Sequence, residues 1–475
     1  MKSVKINSVL NTIKTLVSLI FPIITYPYAL RALGADNIGH YTFAKTIVNY
    51  CVLLAGLGIS RYATREGARY RDDKKKFNEF ASEMLSINLG STIVAYTVLV
   101  IVFLASPKIQ GYADVIWIQS LVIIFTTLGM DWLYSCLEEY LFVTIRSIIV
   151  QLISIVALFV FVRNSSDIIA YTWVLTFSTV GSYAINFIYI LIKISLKLTF
   201  KHFRINIVPI MLLFVSSIAS TIYVNSDSTM LGLLKDDYTV GLYDAATKIY
   251  TVAQQILSAA LLVTLPRLSN YWGKEKKKEY WKLVNDAIDY VITFVTPAVI
   301  GLFLMAYEVI VVVAGKQYTQ SADTLRILSL SLFCSLFGIF YTNTMLLPQQ
   351  KEKEVSIIMV IAAAVNIGLN LIFIPAFAQN GAAITTLIAE FIVLIFQIIV
   401  MRDIFSIEQS DHKGVYTGTL VGSIVVCIVC ILSKYIVSNI VIRLALATVI
   451  SILFYLVIQR VIGNHCVDFI LKRRS

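Results

Sequence analysis

Charge is scarce along this chain, and its scarcity argues against a soluble protein. Only 14% of the 475 residues are charged, whereas soluble domains average about 25%. Hydrophobic residues make up 58%, and apolar runs of about twenty residues, each long enough to cross a bilayer as a helix, recur along the sequence. Because these runs are continuous rather than alternating, they favour helices over a β-barrel. The sequence therefore predicts an all-α, multi-pass membrane protein.

Groups that bind metals or carry out catalysis are also few. The six cysteines show no disulfide pattern, and Cys427 and Cys430, spaced like half of a zinc site, have no second ligand pair. The four histidines are isolated, and neither a nucleophile motif nor a phosphate-binding loop is present. The segments between apolar runs are too short for a catalytic domain. We therefore expect no metal, no cofactor and no enzymatic activity.

The apolar runs predict about fourteen transmembrane helices. Several runs have weak edges, so a count of twelve or thirteen stays open. The approximate limits are 8–31, 40–60, 82–105, 113–136, 143–162, 169–192, 208–233, 239–265, 285–313, 323–347, 355–375, 380–401, 415–434 and 440–462.

Basic residues are concentrated in alternate loops, which predicts the orientation of the chain. The basic loops include Arg61, Arg65, Arg69, Arg71, Lys74, Lys75, Lys76, Lys193, Lys197, Lys201, Arg204, Arg267, Lys274, Lys276, Lys277, Lys278 and Lys282. The opposite loops contain few basic residues. Both termini are therefore expected in the cytoplasm, which requires an even number of spans. The net charge of +11 follows from this asymmetry and favours contact with anionic lipid headgroups rather than with nucleic acid.

Two segments of the chain resemble each other: residues 38–47 read IGHYTFAKTI and residues 240–249 read VGLYDAATKI. One constant offset relates Gly39, Tyr41, Ala44, Ile47 and Arg65 to Gly241, Tyr243, Ala246, Ile249 and Arg267. Since the copies begin at the second and eighth predicted helices, both cross the membrane in the same direction. This predicts two parallel six-helix bundles around a central cavity, at residues 1–200 and 201–405, followed by two additional helices and a cytoplasmic tail at 406–475.

Ionisable residues inside the spans are candidates for functional sites because their insertion into a membrane is costly. Asp227 and Lys248 lie at similar distances from the turn between the seventh and eighth helices, so we expect them at similar depth. A structural ion pair and a switchable pair, in which Asp227 takes a proton or cation and Lys248 binds an anionic substrate, both stay open. Lys45 is the approximate counterpart of Lys248 in the first copy, with outward snorkelling as its alternative.

Further polar residues occur in the fourth, eleventh and twelfth helices. Asn366 and Glu390 are equidistant from the turn between the last two of these helices, and Asn370 lies one turn further out, a pattern typical of structural hydrogen bonds. Asp131 and Glu138 flank the cytoplasmic end of the fourth helix, where acidic residues are often solvated.

Four stretches of the sequence resemble the bacterial oligosaccharide repeat-unit flippases, the O-antigen and capsule translocases of the polysaccharide exporter family. The stretches are PYALRALGADNIGHYTFAKTIVNYCVLLAGLGISRYATREGARYRDDKKK, GMDWLYSCLEEYLFVTIR, DSTMLGLLKDDYTVGLYDAATKI and NIGLNLIFIPAFAQNGAAITTLIAE. The second stretch places Asp131, Trp132, Glu138 and Arg146 in an Asp-Trp…Glu…Arg motif, with Cys136 where the family often has glycine. The four stretches occur in the family's order, between about residues 20 and 400.

The resemblance implies the fold shared with multidrug and toxin extrusion proteins. It also implies a flippase that moves an undecaprenyl-diphosphate-linked oligosaccharide from the inner to the outer leaflet of the bacterial plasma membrane, with polysaccharide polymerase and export machinery as further candidate partners. Coupling to proton or cation antiport stays open. A drug or cation antiporter of the same superfamily and a lipid II flippase are the alternatives.

The charges within the spans and loops suggest roles in binding a lipid diphosphate. We expect Arg61 and Arg65 to capture the headgroup at the cytoplasmic mouth and Lys45 and Lys248 to draw it inward, with Arg267 in the same binding set. The expected counter-charges and coupling groups are Asp131, Asp227, Asn366, Asn370 and Glu390.

Overall fold

A computed structural model describes residues 4–402, 412–464 and 466 of the chain. Within these ranges the regular structure is helical and contains no strand, which confirms the predicted all-α fold. A π-helical segment, Tyr341–Leu346, continues the helix that ends at Phe340. In chain order the helices are α1 (Val4–Gly56), α2 (Ile59–Tyr70), α3 (Lys74–Ala105), α4 (Pro107–Gln110), α5 (Ala113–Gly129), α6 (Asp131–Cys136), α7 (Tyr140–Phe161), α8 (Ile168–Lys193), α9 (Phe203–Leu234), α10 (Asp237–Gly273), α11 (Lys277–Leu304), α12 (Ala306–Val313), α13 (Ser321–Phe340), α14 (Glu352–Met401), α15 (Lys413–Ile436) and α16 (Ile440–Ile462).

Twelve helical stretches of the described chain have the length and hydropathy needed to cross a membrane. Two of them contain a break in the helical backbone, at Gly34 in α1 and at Ala378 in α14. Since α1 and α14 have 53 and 50 residues, each half of each helix is long enough to span a bilayer. Counting each half as a span gives fourteen spans in the described chain, the number that the sequence predicts.

The break in α14 is a sharp reversal of the chain. A Cβ atom placed on Gly381 would lie only 2.1 Å from the carbonyl oxygen of Phe373. In a continuous helix these two residues would be roughly 12 Å apart along the axis. Thr385 also donates a hydrogen bond to Asn370 Oδ1 at 2.5 Å, across the same reversal. Helix α14 is therefore a hairpin of two helices joined by almost no loop.

The described chain divides into two compact units. Unit 1 contains the residues up to Gly232 together with Asp236–Gly241, and unit 2 contains Leu233–Lys235 and the residues from Leu242 onward. In unit 1, α1 packs against α3, α5 and α7, and both α5 and α7 pack against α8. In unit 2, α11 packs against α13 and α15, α13 against α14, and α15 against α16. The predicted limits of the two six-helix lobes, at residues 200 and 405, stay a prediction.

The first turn of α10, which belongs to unit 1, crosses the second half of α1 at very short distance. A Cβ atom on Gly39 would lie 1.7 Å from Asp237 O, and one on Gly241 would lie 2.0 Å from Ala35 O. The offset of the repeat maps one contact onto the other, because Gly39 corresponds to Gly241 and Ala35 corresponds to Asp237. The repeated glycines are therefore required because backbone meets backbone at this crossing.

Candidate functional site

Helix α2 presents a basic face. It starts after Gly58, whose φ of 76° turns the chain sharply away from α1. Arg61 and Arg65 are both exposed, and their spacing of four residues places them on the same face of the helix. No carboxylate of the described residues lies within ion-pair distance of either guanidinium, whereas Arg69, one turn further on, pairs with Glu66 at 3.0 Å. Arg61 and Arg65 are therefore available to a phosphate-containing ligand.

The opposite face of α2 is buried and fixes the position of the basic face. The Tyr62 hydroxyl donates a hydrogen bond to Asn206 Oδ1 at 2.6 Å, which ties α2 to α9. A Cβ atom on Gly67 would lie 3.0 Å from Cys136 Sγ and 3.2 Å from the Trp132 ring. Helix α6, which carries the Asp-Trp motif, therefore supports α2 through close packing that leaves little room for a larger side chain.

Asp131, predicted as a counter-charge, lies at the start of α6. Asn186 Nδ2 donates to Asp131 Oδ1 at 2.5 Å, and Arg146 Nη1 lies 3.6 Å from the same oxygen. Arg146 is buried and also donates to the Ser182 carbonyl at 2.9 Å. The Asp131 side chain keeps 39% of its surface exposed. It therefore neutralises a buried arginine while part of its own surface is left uncovered by protein, and its role in coupling stays a prediction.

Two ion pairs next to this network were not predicted. Arg71 Nη1 lies 2.7 Å from Glu138 Oε1, and Lys193 pairs with Glu139. The hydrogen bond from Arg71 to Glu138 raises the pKa of the Arg71 guanidinium. Glu138 has a φ of 55°, so the chain between α6 and α7 is bent where the pair forms. The available signal was the acidic dipeptide at 138–139, in a chain whose cytoplasmic loops are rich in arginine and lysine.

A polar face joins α1 to α9 within unit 1. The Tyr50 hydroxyl lies 2.9 Å from Thr229 Oγ1, and Asn49 Nδ2 lies 3.4 Å from Asn225 Oδ1. These four residues are half-buried, whereas Asp227, between Asn225 and Thr229 in sequence, is only 7% exposed. Polar side chains inside membrane spans normally face the protein interior or a water-filled cavity rather than lipid. The structure thus adds amide and hydroxyl groups to the predicted carboxylate.

The two predicted lysines differ in their surroundings. Lys45 lies one turn before Asn49 on α1, is half-buried, and has its Nζ atom 5.7 Å from the centroid of the Tyr41 ring. Lys248, on the part of α10 that belongs to unit 2, has an exposed side chain. Asp227 belongs to unit 1, so a pair between Asp227 and Lys248 stays a prediction.

In unit 2, the predicted asparagines form a buried chain of hydrogen bonds. Asn370 Nδ2 donates to Asn366 Oδ1 at 3.1 Å, and Thr385 Oγ1 donates to Asn370 Oδ1 at 2.5 Å. These bonds join the two halves of the α14 hairpin, which favours a structural role for both asparagines. Glu390, on the second half of α14, is half-buried, and its coupling role stays a prediction.

A second polar cluster of unit 2 was missed by the sequence analysis. Gln254 Nε2 on α10 donates to the Tyr250 hydroxyl at 3.3 Å and also to Ser335 Oγ on α13. Gln254 is an uncharged amide in an apolar span, so it carries none of the charge that marks a candidate site in a membrane helix. Arg267 is exposed on the same helix, but it lies roughly 28 Å from Lys248 at the rise of an α-helix. These two predicted cations therefore do not form one compact site.

The membrane-spanning helices of the described chain, with polar groups inside both units, are those of a multi-pass membrane protein of the kind that transports solutes or lipids. The chain belongs to the family described as "Polysaccharide biosynthesis protein", whose profile matches residues 4–272. This membership confirms the resemblance seen in the four motifs.

Curated relatives agree with this family assignment, and a solved structure shares the fold. The chain is 23% identical to the "Putative O-antigen transporter" of Escherichia coli (strain K12) over 391 residues, 81% of this chain and 93% of that one. It is 24% identical to the "Capsular polysaccharide biosynthesis protein CapF" of Staphylococcus aureus over 368 residues, 76% of this chain and 89% of that one. The solved structure of "Lipid II flippase MurJ, inward closed conformation" shares its fold, with a TM-score of 0.78 at 17% identity, over 96% of this chain and 98% of that one.

Proposed function

We propose that this protein is a flippase for undecaprenyl-diphosphate-linked oligosaccharides, moving them from the inner to the outer leaflet of a bacterial plasma membrane. The observation that carries the proposal is the pair of exposed guanidinium groups on α2, at the end of a membrane span and without a carboxylate partner among the described residues. The relatives described as an O-antigen transporter and a capsular polysaccharide protein support a glycan as the cargo.

The chemistry of the cargo matches the residues of the site. A lipid diphosphate is an anion, and arginine binds phosphate oxygens bidentately, whereas lysine acts as a point charge. Arg61 and Arg65 would therefore capture the headgroup, and Lys45 and Lys248 would attract it further along the path. The half-buried amide and hydroxyl groups of Asn49 and its neighbours would bind sugar hydroxyls. Asp227 and Glu390 would balance the cations, one of them carrying a coupling proton or cation.

The remaining features follow from this assignment. Both termini lie in the cytoplasm, and the protein translocates its substrate by alternating access without altering its covalent bonds, so it is not an enzyme. Polysaccharide polymerase and export machinery would take over the cargo on the outer side. The basic cytoplasmic loops would contact anionic lipids.

The proposal is tested by following the sidedness of the lipid-linked oligosaccharide in cells depleted of this protein. An outer-leaflet probe, such as a lectin or a sugar-oxidising reagent, is compared with the total lipid extract. We expect the oligosaccharide to accumulate while remaining inaccessible from outside. Unchanged sidedness and unchanged total would overturn the proposal and favour drug or ion efflux; accumulation of lipid II instead would favour a lipid II flippase.

The same assay tests the arginine pair directly. The double variant Arg61→Gln/Arg65→Gln should lower the outward fraction about tenfold or more, the effect of losing roughly 1.4 kcal/mol of binding. Arg61→Lys/Arg65→Lys should retain an intermediate fraction because the charge is kept. The matched control is Arg69→Gln, which removes a guanidinium of the same helix that already has a partner. Equal effects of all three variants would show that α2 does not recognise phosphate.

A further inference from the structure

The connection between α8 and α9 is held against α3 in a defined conformation. After α8 the chain is extended from Ile194, with φ −125° and ψ 127°. The backbone N–H of Lys197 donates to Ser82 Oγ at 3.1 Å, and that of Thr199 donates to Ser86 Oγ at 2.9 Å. These donors are two residues apart, as on one edge of a β-strand, and the acceptors are four residues apart on one face of α3. The helix therefore binds one edge of the extended segment through two serines.

A buried carboxylate fixes the end of the same segment. Glu83 is 3% exposed, and its Oε1 atom accepts the backbone N–H of His202 at 2.5 Å. Its other oxygen, Oε2, lies 3.3 Å from His202 Nδ1. Burying a carboxylate is costly unless hydrogen bonds compensate, so this contact specifies one position for the segment. Residues 194–205, the connection together with the first three residues of α9, are called here the linker strap. Three side chains of α3 set the course of its extended part.

The position set in this way leaves large apolar side chains without protein cover. Leu198, Phe200 and Ile205 are 74%, 57% and 70% exposed. The strap also has three exposed cations: Lys197, Lys201 and Arg204. An apolar surface interleaved with basic residues, between two membrane spans, matches the interface of a bilayer, where apolar groups enter the acyl region and cations meet phosphates.

We propose that the linker strap is a binding surface for anionic phospholipid of the cytoplasmic leaflet, pre-shaped by Ser82, Glu83 and Ser86. Leu198 and Phe200 enter the acyl region, while Lys197 and Lys201 hold the phosphate of the headgroup. The proposed function includes contact between the basic cytoplasmic loops and anionic lipids, and the present proposal assigns that contact to one segment. The cytoplasmic location of the strap rests on the proposed function. It does not depend on which glycan is transported, and its test measures no transport.

The test uses the full-length protein reconstituted in vesicles, with a tryptophan introduced at the strap. The variant Phe200→Trp is compared with the unmodified protein, whose tryptophan signal is subtracted. The vesicles contain phosphatidylcholine and phosphatidylglycerol in a fixed ratio, with bromine on the acyl chains of one lipid or of the other. We expect both brominated lipids to quench the added fluorescence. Brominated phosphatidylglycerol should quench it about twofold more strongly, or better, than brominated phosphatidylcholine. Ile93→Trp, at a 69% exposed position of α3, should be quenched without preference for a headgroup.

Two further variants test separately the contribution of the lysines and that of the fixed conformation of the strap. Adding Lys197→Gln/Lys201→Gln to Phe200→Trp should abolish the preference for phosphatidylglycerol but retain quenching. Adding Glu83→Gln should reduce quenching by both lipids because the strap loses its fixed course. Added fluorescence that neither lipid quenches would place the strap in water and overturn the proposal. Quenching without headgroup preference in the Phe200→Trp protein would overturn the anionic recognition.

Discussion

The two repeated segments, residues 38–47 and 240–249, have the same scaffold but different polar chemistry. Tyr41 and Tyr243 are both buried, and Ala44 and Ala246 are both fully buried. Their ring partners already differ, because Tyr41 packs edge-on against Tyr171, whereas the Tyr243 hydroxyl lies 3.4 Å from Thr386 Oγ1. The repeat therefore specifies how the helices approach each other, while the chemistry of the site is set by positions at which the two copies differ.

The two copies differ most in the polar contacts where α1 and α10 cross at Gly39 and Gly241. His40 Nδ1 is 2.9 Å from Asp237 Oδ2, and the Tyr112 hydroxyl donates to Asp237 Oδ1 at 2.5 Å. His40 also stacks on the Tyr112 ring, with centroids 4.3 Å apart, and its Nε2 lies 3.6 Å from Asp114. At the offset of the repeat, the residue corresponding to His40 is Leu242. The polar contact therefore forms on one side of an otherwise reciprocal crossing.

Breaking the shared scaffold should have the largest effect. In Gly39→Ala and Gly241→Ala the new methyl groups would overlap carbonyl oxygens, at 1.7 Å and 2.0 Å, so the helices must separate. We expect each variant to lose roughly 3 kcal/mol of stability or to fail to fold, measured by thermal unfolding and by monodispersity in detergent.

The control for this prediction is Gly90→Ala in α3, where an added Cβ meets nothing within 4 Å. It should be neutral or slightly stabilising because alanine has the higher helix propensity. A normal unfolding temperature for both crossing variants would mean that the backbones do not meet there.

Removing the lysine of either copy should have the next largest effect, on transport rather than on folding. We expect Lys248→Ala to lower the outward fraction of lipid-linked oligosaccharide about tenfold, and Lys248→Arg to retain more of it because the charge remains. Lys45→Ala should have a smaller effect, since Lys45 is half-buried beside Tyr41 and less available to a ligand. Wild-type transport in both Lys248 variants would exclude a binding role, and loss of folded protein in Lys248→Ala would indicate a structural pair.

The asymmetric polar contact should contribute a smaller, measurable coupling. In a double-mutant cycle, His40→Gln and Asp237→Asn should each destabilise the protein, and the double variant should lose less than the sum. We expect a coupling of about 1 kcal/mol from thermal unfolding. The corresponding pair of the other copy, Leu242 and Ala35, has no side chain that can form a hydrogen bond, so the cycle tests a contact that only one copy makes. Additive effects in the His40 cycle would show that its hydrogen bond does not stabilise the crossing.

The smallest expected effect concerns Tyr112 at high pH. Burial, and then its hydrogen bond to Asp237, raise the pKa of Tyr112 above its usual range. Because the pKa is raised in the folded state, the folded protein holds this proton more tightly than the unfolded chain does. The free energy of unfolding therefore falls as the pH rises above about 10, the ordinary tyrosine value. Tyr112→Phe should therefore show a shallower loss of unfolding temperature between about pH 9 and 11. Parallel curves for the two proteins would mean that Tyr112 titrates normally.

The sequence predicted the fold well because hydropathy and repeats are local properties of the chain. It identified the spans, the offset between the repeats and the basic loops, each of which depends on residues near one another. The breaks at Gly34 and Ala378 were visible only as short gaps between apolar runs, since a single residue with positive φ reverses the chain at Ala378.

The contacts of the site were harder to predict because they join distant segments. Arg146 was placed in a motif, but its pairing with Asp131 depends on how α6 meets α7 and α8. Gln254 and Ser335 are uncharged and therefore invisible to a search for costly charges. Asn366 and Asn370 were found because Asn366 and Glu390 are equidistant from the connecting turn, with Asn370 one turn further out. Their partner Thr385 lies across a reversal that the pattern alone does not reveal.

The reversal in α14 also has a practical consequence for mapping the protein in cells. Epitope tags and labelling cysteines need a connection that tolerates insertion, and a junction where Gly381 almost touches the carbonyl of Phe373 offers none. The connection around Asn164, by contrast, is exposed on the surface. Epitope insertions should therefore be directed to residues 163–166, because an insertion at Gly381 would separate the two halves of α14.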